Sequence, residues 1–222
     1  MSGPRKRLTI PDLAIKKASG ERLVMVAVGE VLSAAWAERA GVDIVGIGDS
    51  LGMTLYGHEN TLAMTVDQMI EHTKAVRRGA PNTFSLVAMP YGSYATKDIA
   101  VQNAVRIMKE SGVDAVKLQG GREMFDIIKA VDDAVSIFTF SIGAGAAGTC
   151  QLLNGYDLIG AFDTFKPKFA KRYGNVVDVA VKAFEDYAED VRSGAFPDAD
   201  HSYKMKAEEV EKFTAALTKT KE

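Results

Sequence analysis

Four short apolar runs, each followed by a segment of different periodicity, recur along the first half of the chain about every thirty residues, and this repetition limits the possible folds more than any other feature. The runs are Leu23 to Val28, Ile44 to Asp49, Phe84 to Met89 and Ala115 to Leu118. They do not alternate apolar with polar, so they read as strands buried on both faces. Between them, Val31 to Ala40, Thr65 to Arg78 and Lys97 to Ser111 place apolar residues at helical intervals. Parallel strands need a crossover to connect them, and a helix is the usual one. The pattern therefore predicts an α/β fold with a parallel sheet or barrel.

Local signals set the boundaries. Thr9 caps a first helix with Pro11 in its opening turn, and Gly20 ends it. Thr65 with Gln68 three residues later forms a capping box, and Thr96 opens the next helix. On spacing, Leu32, Ala35, Trp36 and Arg39 align on the second helix, and Ile99, Val101, Ala104, Ile107 and Met108 form the inward face of the helix from 97 to 111. Further on, the pattern predicts a helix from Arg122 to Asp133, a strand from Val135 to Ile142, a short strand from Tyr156 to Ala161 and an amphipathic helix from Asn175 to Arg192. Residues 1–206 read as one domain, and 207–222 as a charged tail, helical or frayed.

Composition narrows the partners. With 27 Lys and Arg against 29 Asp and Glu, and no one-sided basic block beyond Arg5 to Arg7, nothing suggests nucleic acid. No apolar run is long enough for a bilayer and no secretory h-region follows the basic start, so a cytoplasmic location without membrane contact is expected. The single cysteine, Cys150, fits a reducing compartment, and a lone cysteine is more often a small buried hydrophobe than a nucleophile.

The ends of the predicted strands hold the candidate chemistry. Asp49 and Ser50 follow the second strand, where a helix N-cap is the ordinary use of such residues. Lys117 ends the fourth strand, and its ordinary role is a rim lysine paired with a surface carboxylate. Glu30, just past the first strand, is a candidate general base or a solvated first-turn glutamate. His58 and His72 lack the spacing of a metal pair, and His201 lies in the tail. Gly143 to Gly145 read as a tight turn, and the cluster Lys166, Lys168, Lys171 and Arg172 as a solvated helix start or, alternatively, a contact for the acidic tail of a folate.

Several ordered stretches together resemble the ketopantoate hydroxymethyltransferase family, also called 3-methyl-2-oxobutanoate hydroxymethyltransferase. They are G-D-S-L-G-M-T with G-H-x-x-T at 48 to 61, H-T-x-A-V-R-R-G-A-P-N at 72 to 82, V-K-L-Q-G-G at 116 to 121, I-G-A-G and P-K-F-A-K between 142 and 171, and G-A-F-P-D-A-D-H-S-Y at 194 to 203. The resemblance implies a (β/α)₈ TIM barrel of the phosphoenolpyruvate mutase and isocitrate lyase type, with its site at the C-terminal ends of the strands. It also implies a homo-oligomer that binds an α-keto acid on Mg²⁺ and transfers a hydroxymethyl group from methylenetetrahydrofolate, in pantothenate biosynthesis. On this pattern Asp49 matches a metal ligand, and Ser50 and Lys117 match substrate-binding residues.

Three departures accompany the match. The family's third-strand aspartate, a second metal ligand, is replaced by Ala88, and the fourth-strand glutamate by Gln119. An amide offers oxygen without charge, and Mg²⁺ prefers anionic oxygen, so the metal is expected to bind weakly or not at all. Only 22 positions separate Gly121 from Gly143, where the family places two further β/α units. About sixty residues are absent at the barrel average, and with them a site histidine and the glutamate assigned as base. No residue matches the base, which leaves Glu30 as the candidate. The join falls in the helix from Met124 to Asp133, and the barrel is expected to be incomplete or distorted. Canonical activity is expected to be weak or absent. The alternatives are a related α-keto acid C–C lyase and a catalytically silent binding or oligomer subunit.

Overall fold

In a computed structural model of the chain, the described residues are 6–120, 126–127, 130 and 150–212. They belong to two compact units, Met1–Asn175 and Val176–Glu222.

The first unit follows the predicted alternation. Its elements are α1 (Ile10–Ala18), β1 (Leu23–Ala27), α2 (Val31–Arg39), β2 (Ile44–Ile47), α3 (Leu51–Thr54), α4 (Val66–Gly79), β3 (Phe84–Ala88), α5 (Lys97–Ser111), β4 (Ala115–Lys117), β5 (Cys150–Asn154) and α6 (Gly155–Leu158). Thr9 with Asp12 and Thr65 with Gln68 form reciprocal capping boxes, and the Thr96 side chain accepts from the Ile99 N–H. Each satisfies backbone N–H groups that a helix start would otherwise leave unpaired.

The strands form one parallel sheet in the order β4-β3-β2-β1-β5. The last strand pairs with the first, Leu23 beside Cys150 and Ala27 beside Asn154. Placing the final strand against the first is the seam that closes a β/α barrel, and the fold is a derivative of that barrel. Among the described residues the sheet has five strands.

Because successive side chains point to opposite faces, each strand feeds two cores. One series, Leu23, Met25, Ile44, Phe84, Leu86, Ala115, Cys150 and Leu152, packs together on the inner face, with Leu13 of α1 set among them. The other series, Val45, Ile47, Val87 and Val116, packs outward under Ala34, Ala37, Met69, Ile70, Val76, Ala100, Ala104 and Ile107 of the helices. Gly46 makes room in the inner layer, since a Cβ there would stand 2.2 Å from the Met25 side chain. The inner series points on to Ala88 in β3, Lys117 in β4 and Asn154 in β5, the last inward positions at the C-terminal edge.

Several expectations change. α2 buries Ser33, Ala34 and Ala37, while Leu32 and Trp36 stand exposed. The reason is close helix packing: a Cβ on Gly79 of α4 would lie 2.3 Å from the Val31 carbonyl oxygen and 2.9 Å from the Ala34 Cβ, so small residues face the contact. α5 similarly buries Ala100, Ala104, Ile107 and Ser111, leaving Ile99 exposed. The strand expected at Tyr156 to Ala161 lies earlier, at Cys150–Asn154, and Asn154 caps the helical turn that follows by accepting from the Tyr156 N–H at 3.1 Å. The expected helix start at Lys166 to Arg172 is irregular backbone instead; Arg172 donates to the Phe162 carbonyl at 2.6 Å. Asp126, Ile127 and Ala130 are helical. The rest of the 122–133 helix, the 135–142 strand and the turn at Gly143 to Gly145 lie outside the described residues.

In the second unit, α7 (Val176–Ser193) is amphipathic, and none of its side chains is buried. Tyr187 and Phe196 meet edge to face with centroids 5.5 Å apart. Residues 207–212 are helical.

Candidate active site

The C-terminal ends of β2, β3 and β4 bring Asp49, Ser50, Ala88, Lys117 and Gln119 to one edge of the sheet. In register, β3 ends with Ala88 beside Lys117, and β2 ends with Ile47 beside Val87, one residue before Gly48 and two before Asp49.

Asp49 and Ser50 are placed where a cap would stand, yet they do not cap. Ser50 is the N-cap residue of α3 by position, in αR geometry, and its side chain makes no capping hydrogen bond. Its hydroxyl folds back instead, so that a Cβ on Gly48 would lie 3.1 Å from Ser50 Oγ. Local helix capping therefore does not explain this pair.

Lys117 lies close enough to Asp49 for the carboxylate to favour its ammonium form. Burial acts in the opposite direction and more strongly, so the amine is held below its ordinary value. A partly desolvated cation that faces one carboxylate still has capacity for a second anion. Ala88 is fully buried in the slot beside it.

Tyr94, on the loop between β3 and α5, is a site residue that the sequence reading missed. Its phenol is held above the ordinary value by burial first and by the Asp49 charge second. Tyrosine six positions past a strand end carries no spacing signal, so only the fold brings it here.

Glu30 acts as an N-cap. Its carboxylate accepts from the Leu32 and Ser33 N–H groups at 2.5 and 2.7 Å, which ties both oxygens to the start of α2. His72 bridges elements: Nδ1 lies 2.5 Å from the Gly29 carbonyl oxygen, and Nε2 lies 2.8 Å from Tyr56 Oη. His58 stacks on Tyr56 with centroids 5.7 Å apart. His201 is bound locally to Asp198. Cys150 is buried, and desolvation pushes its thiol up to about 11.

A concavity of about 660 Å³ lies elsewhere, lined by Val24, Val26, Leu153, Phe169 and Tyr173 among others. Its cation, Lys171, lies 4.9 Å from the Tyr173 ring centroid. With few convergent polar groups, this concavity is a poorer site for an acid than the Asp49–Lys117 edge.

A sequence profile of the ketopantoate hydroxymethyltransferase family matches residues 7–134 and 127–199. The chain belongs to this family. The 3-methyl-2-oxobutanoate hydroxymethyltransferase 1 of Methylibium petroleiphilum is 38% identical over 280 residues, covering 97% of this chain and 95% of that protein. The Geobacillus kaustophilus 3-methyl-2-oxobutanoate hydroxymethyltransferase is 37% identical over 264 residues, covering 89% and 95%. Among solved structures, 2,3-dimethylmalate lyase, a PEP mutase/isocitrate lyase superfamily member, overlays 55% of this chain and 46% of its own with a TM-score of 0.44 and 18% identity.

Both sequence alignments are longer than the 222 residues of this ketopantoate hydroxymethyltransferase relative, so they span positions that it lacks. The two profile matches overlap at 127–134, where the sequence reading places the join.

The described residues at this edge do not fit a divalent ion. Among the described residues no group of three or more His, Cys, Asp or Glu side chains could hold a metal. The edge offers one carboxylate beside an ammonium, with a buried methyl group at Ala88. Adding a dication next to Lys117 would place like charges together with little anionic oxygen to offset them. Among the described residues no helix is long and apolar enough to cross a membrane.

Proposed function

We propose that the Asp49–Lys117 edge binds a small α-keto acid. In this reading the chain is a 3-methyl-2-oxobutanoate hydroxymethyltransferase-like protein whose metal-assisted transfer from methylenetetrahydrofolate is weak or absent. The observation that carries the reading is the placement of the half-buried Lys117 near the Asp49 carboxylate, with Ala88 beside it in register, at the barrel edge where the family works. Lys117 would neutralise the acid's carboxylate, and Ser50 would hold it by its hydroxyl. Asp49 is the remaining anionic ligand. With Glu30 held in a cap, proton removal beside the keto group has no positioned base among these residues, a deficit of about 10²- to 10⁴-fold.

A homo-oligomer belongs to the same reading and is supported by the uncovered apolar side of α7, including Val179 and Phe184. A cytoplasmic location is supported by the single buried thiol, Cys150.

Titration with 3-methyl-2-oxobutanoate, with and without Mg²⁺, tests the proposal by comparing the natural chain with an Ala88→Asp, Gln119→Glu variant. The natural chain should bind the acid with little dependence on Mg²⁺, and the variant should bind Mg²⁺ about tenfold tighter or more. Equal Mg²⁺ affinity in the two proteins would refute the account of the missing metal.

A further inference from the structure

On the reading of the Asp49–Lys117 edge as an α-keto-acid site, we infer that His72 is its positioning residue: through Tyr56 it pins the turn that carries Asp49 and Ser50.

Ser50 does not cap α3, so the turn has to be held from elsewhere. The Asp49 carbonyl accepts from the Gly52 N–H at 3.0 Å, and the Ser50 carbonyl accepts from the Met53 and Thr54 N–H groups at 3.0 and 3.1 Å. The run continues through the Leu51 carbonyl, which accepts from the Leu55 and Tyr56 N–H groups at 2.9 and 3.2 Å. Tyr56 therefore ends one hydrogen-bonded run that begins at Asp49. The His58 N–H returns to the Gly52 carbonyl at 2.8 Å, which brings the His58 ring onto Tyr56.

His72 fixes the far end of that run. Its neighbours on α4, Met69, Ile70 and Thr73, are buried, so the helix that presents it is anchored in the core. The Gly29 carbonyl can only accept, which puts the proton on Nδ1 at 2.5 Å from that oxygen. A neutral imidazole then offers its Nε2 lone pair, and the Tyr56 O–H donates to it at 2.8 Å. One side chain thus ties the turn to α4 and to the end of β1 together. Gly29 itself lies directly against the turn, with no room for a Cβ beside the Leu51 and Leu55 side chains. A turn held in this way loses less freedom when an acid arrives, so Asp49 and Ser50 are already in place.

The test is a calorimetric titration of 3-methyl-2-oxobutanoate into the natural chain, Tyr56→Phe, His72→Asn, the double variant and Lys117→Met, with a melting profile for each. Phenylalanine keeps the ring against His58, and asparagine keeps a donor for the Gly29 carbonyl, so both single variants should melt close to the natural chain. Each should nevertheless weaken the acid about threefold to tenfold. The double variant should be no weaker than either single one, because both remove the same bond. Hydrogen exchange at the 52–56 amides should quicken by a similar factor in Tyr56→Phe without any ligand, a readout that a role confined to global stability would not move. Unchanged affinity in both single variants alongside a loss in Lys117→Met would overturn the role of His72 and leave the acid site standing. Additive losses in the double variant, or unchanged exchange, would overturn the path through Tyr56 and the inference with it. No binding by the natural chain, or no loss in Lys117→Met, would overturn the placement of the site as well.

Discussion

Asp43 and Asp114 stand immediately before β2 and β4, while Asp49 stands two residues after β2, so carboxylates occur at both ends of the same sheet. Asp114 accepts from the Ser85 N–H at 2.9 Å and the Ser85 hydroxyl at 2.8 Å, and it pairs with Arg7 and, at 3.6 Å, with Arg77. Asp43 accepts from the Val24 N–H at 2.9 Å and pairs with Lys16 at 3.1 Å. Both lock the start of one strand to its neighbour. Asp49 instead faces Lys117 and Tyr94 across the far edge and makes no cap. In this barrel derivative the N-terminal end of the sheet consumes its charges in structure, and on the reading proposed above the C-terminal end leaves them for a ligand.

The sharpest way to break that contrast is to remove one carboxylate from each end. Asp114→Ala should cost about 2–4 kcal/mol, because it strands two arginines and a buried Ser85, read as a fall in the urea midpoint. Asp49→Asn should move that midpoint by no more than about 0.5 kcal/mol. If Asp49→Asn destabilised the chain as much as Asp114→Ala, the two ends would not differ in kind.

Alkaline pH probes the same division. Burial raises the Cys150 thiol at the structural end from 9.0 to about 11, so the folded chain keeps a proton that the unfolded chain has lost. Its contribution is present below pH 9 and is lost as pH rises towards 11, a decline of about 1–3 kcal/mol that Cys150→Ala should remove from the pH dependence of unfolding. Lys117, at the other end, has the opposite sign. Its amine lies below 10.5 in the fold, so its contribution is present above 10.5 and is lost as pH falls through the folded value. Lys117→Met should therefore flatten a rise in stability with pH. Glu30→Ala should cost about 0.5–1 kcal/mol from the lost cap, with keto-acid affinity unchanged. A loss of binding there would return Glu30 to the site.

How far the residues predicted this arrangement depends on the range of the signal. β1 to β4 and their helices were legible because buried parallel strands are uniformly apolar and because Thr9, Thr65 and Thr96 announce helix starts locally. Asp49 and Lys117 were legible as polar residues at strand ends. Tyr94 was not, since its place depends on a turn whose Ser93 carbonyl is held by Asn103, ten residues beyond that serine. Neither was the inward face of α2, where Gly79 of another helix dictates that Ala34 rather than Trp36 is buried. β5 was displaced because Cys150–Asn154 contains two polar residues, one of which, Asn154, starts the next turn.

The pairing of β1 with β5 joins Leu23 to Cys150, and the chain between them forms one large loop that folding must close. For a flexible connection the entropic cost grows only with the logarithm of loop length. Inserting or deleting about sixty residues between β4 and β5 would change the closure cost by only about 0.3 kcal/mol, less than the loss of a single helix cap. The seam between first and last strand is therefore thermodynamically almost indifferent to how much chain intervenes. A family member can shed two β/α units and keep this edge of the sheet, because what holds β5 in place is its register against β1.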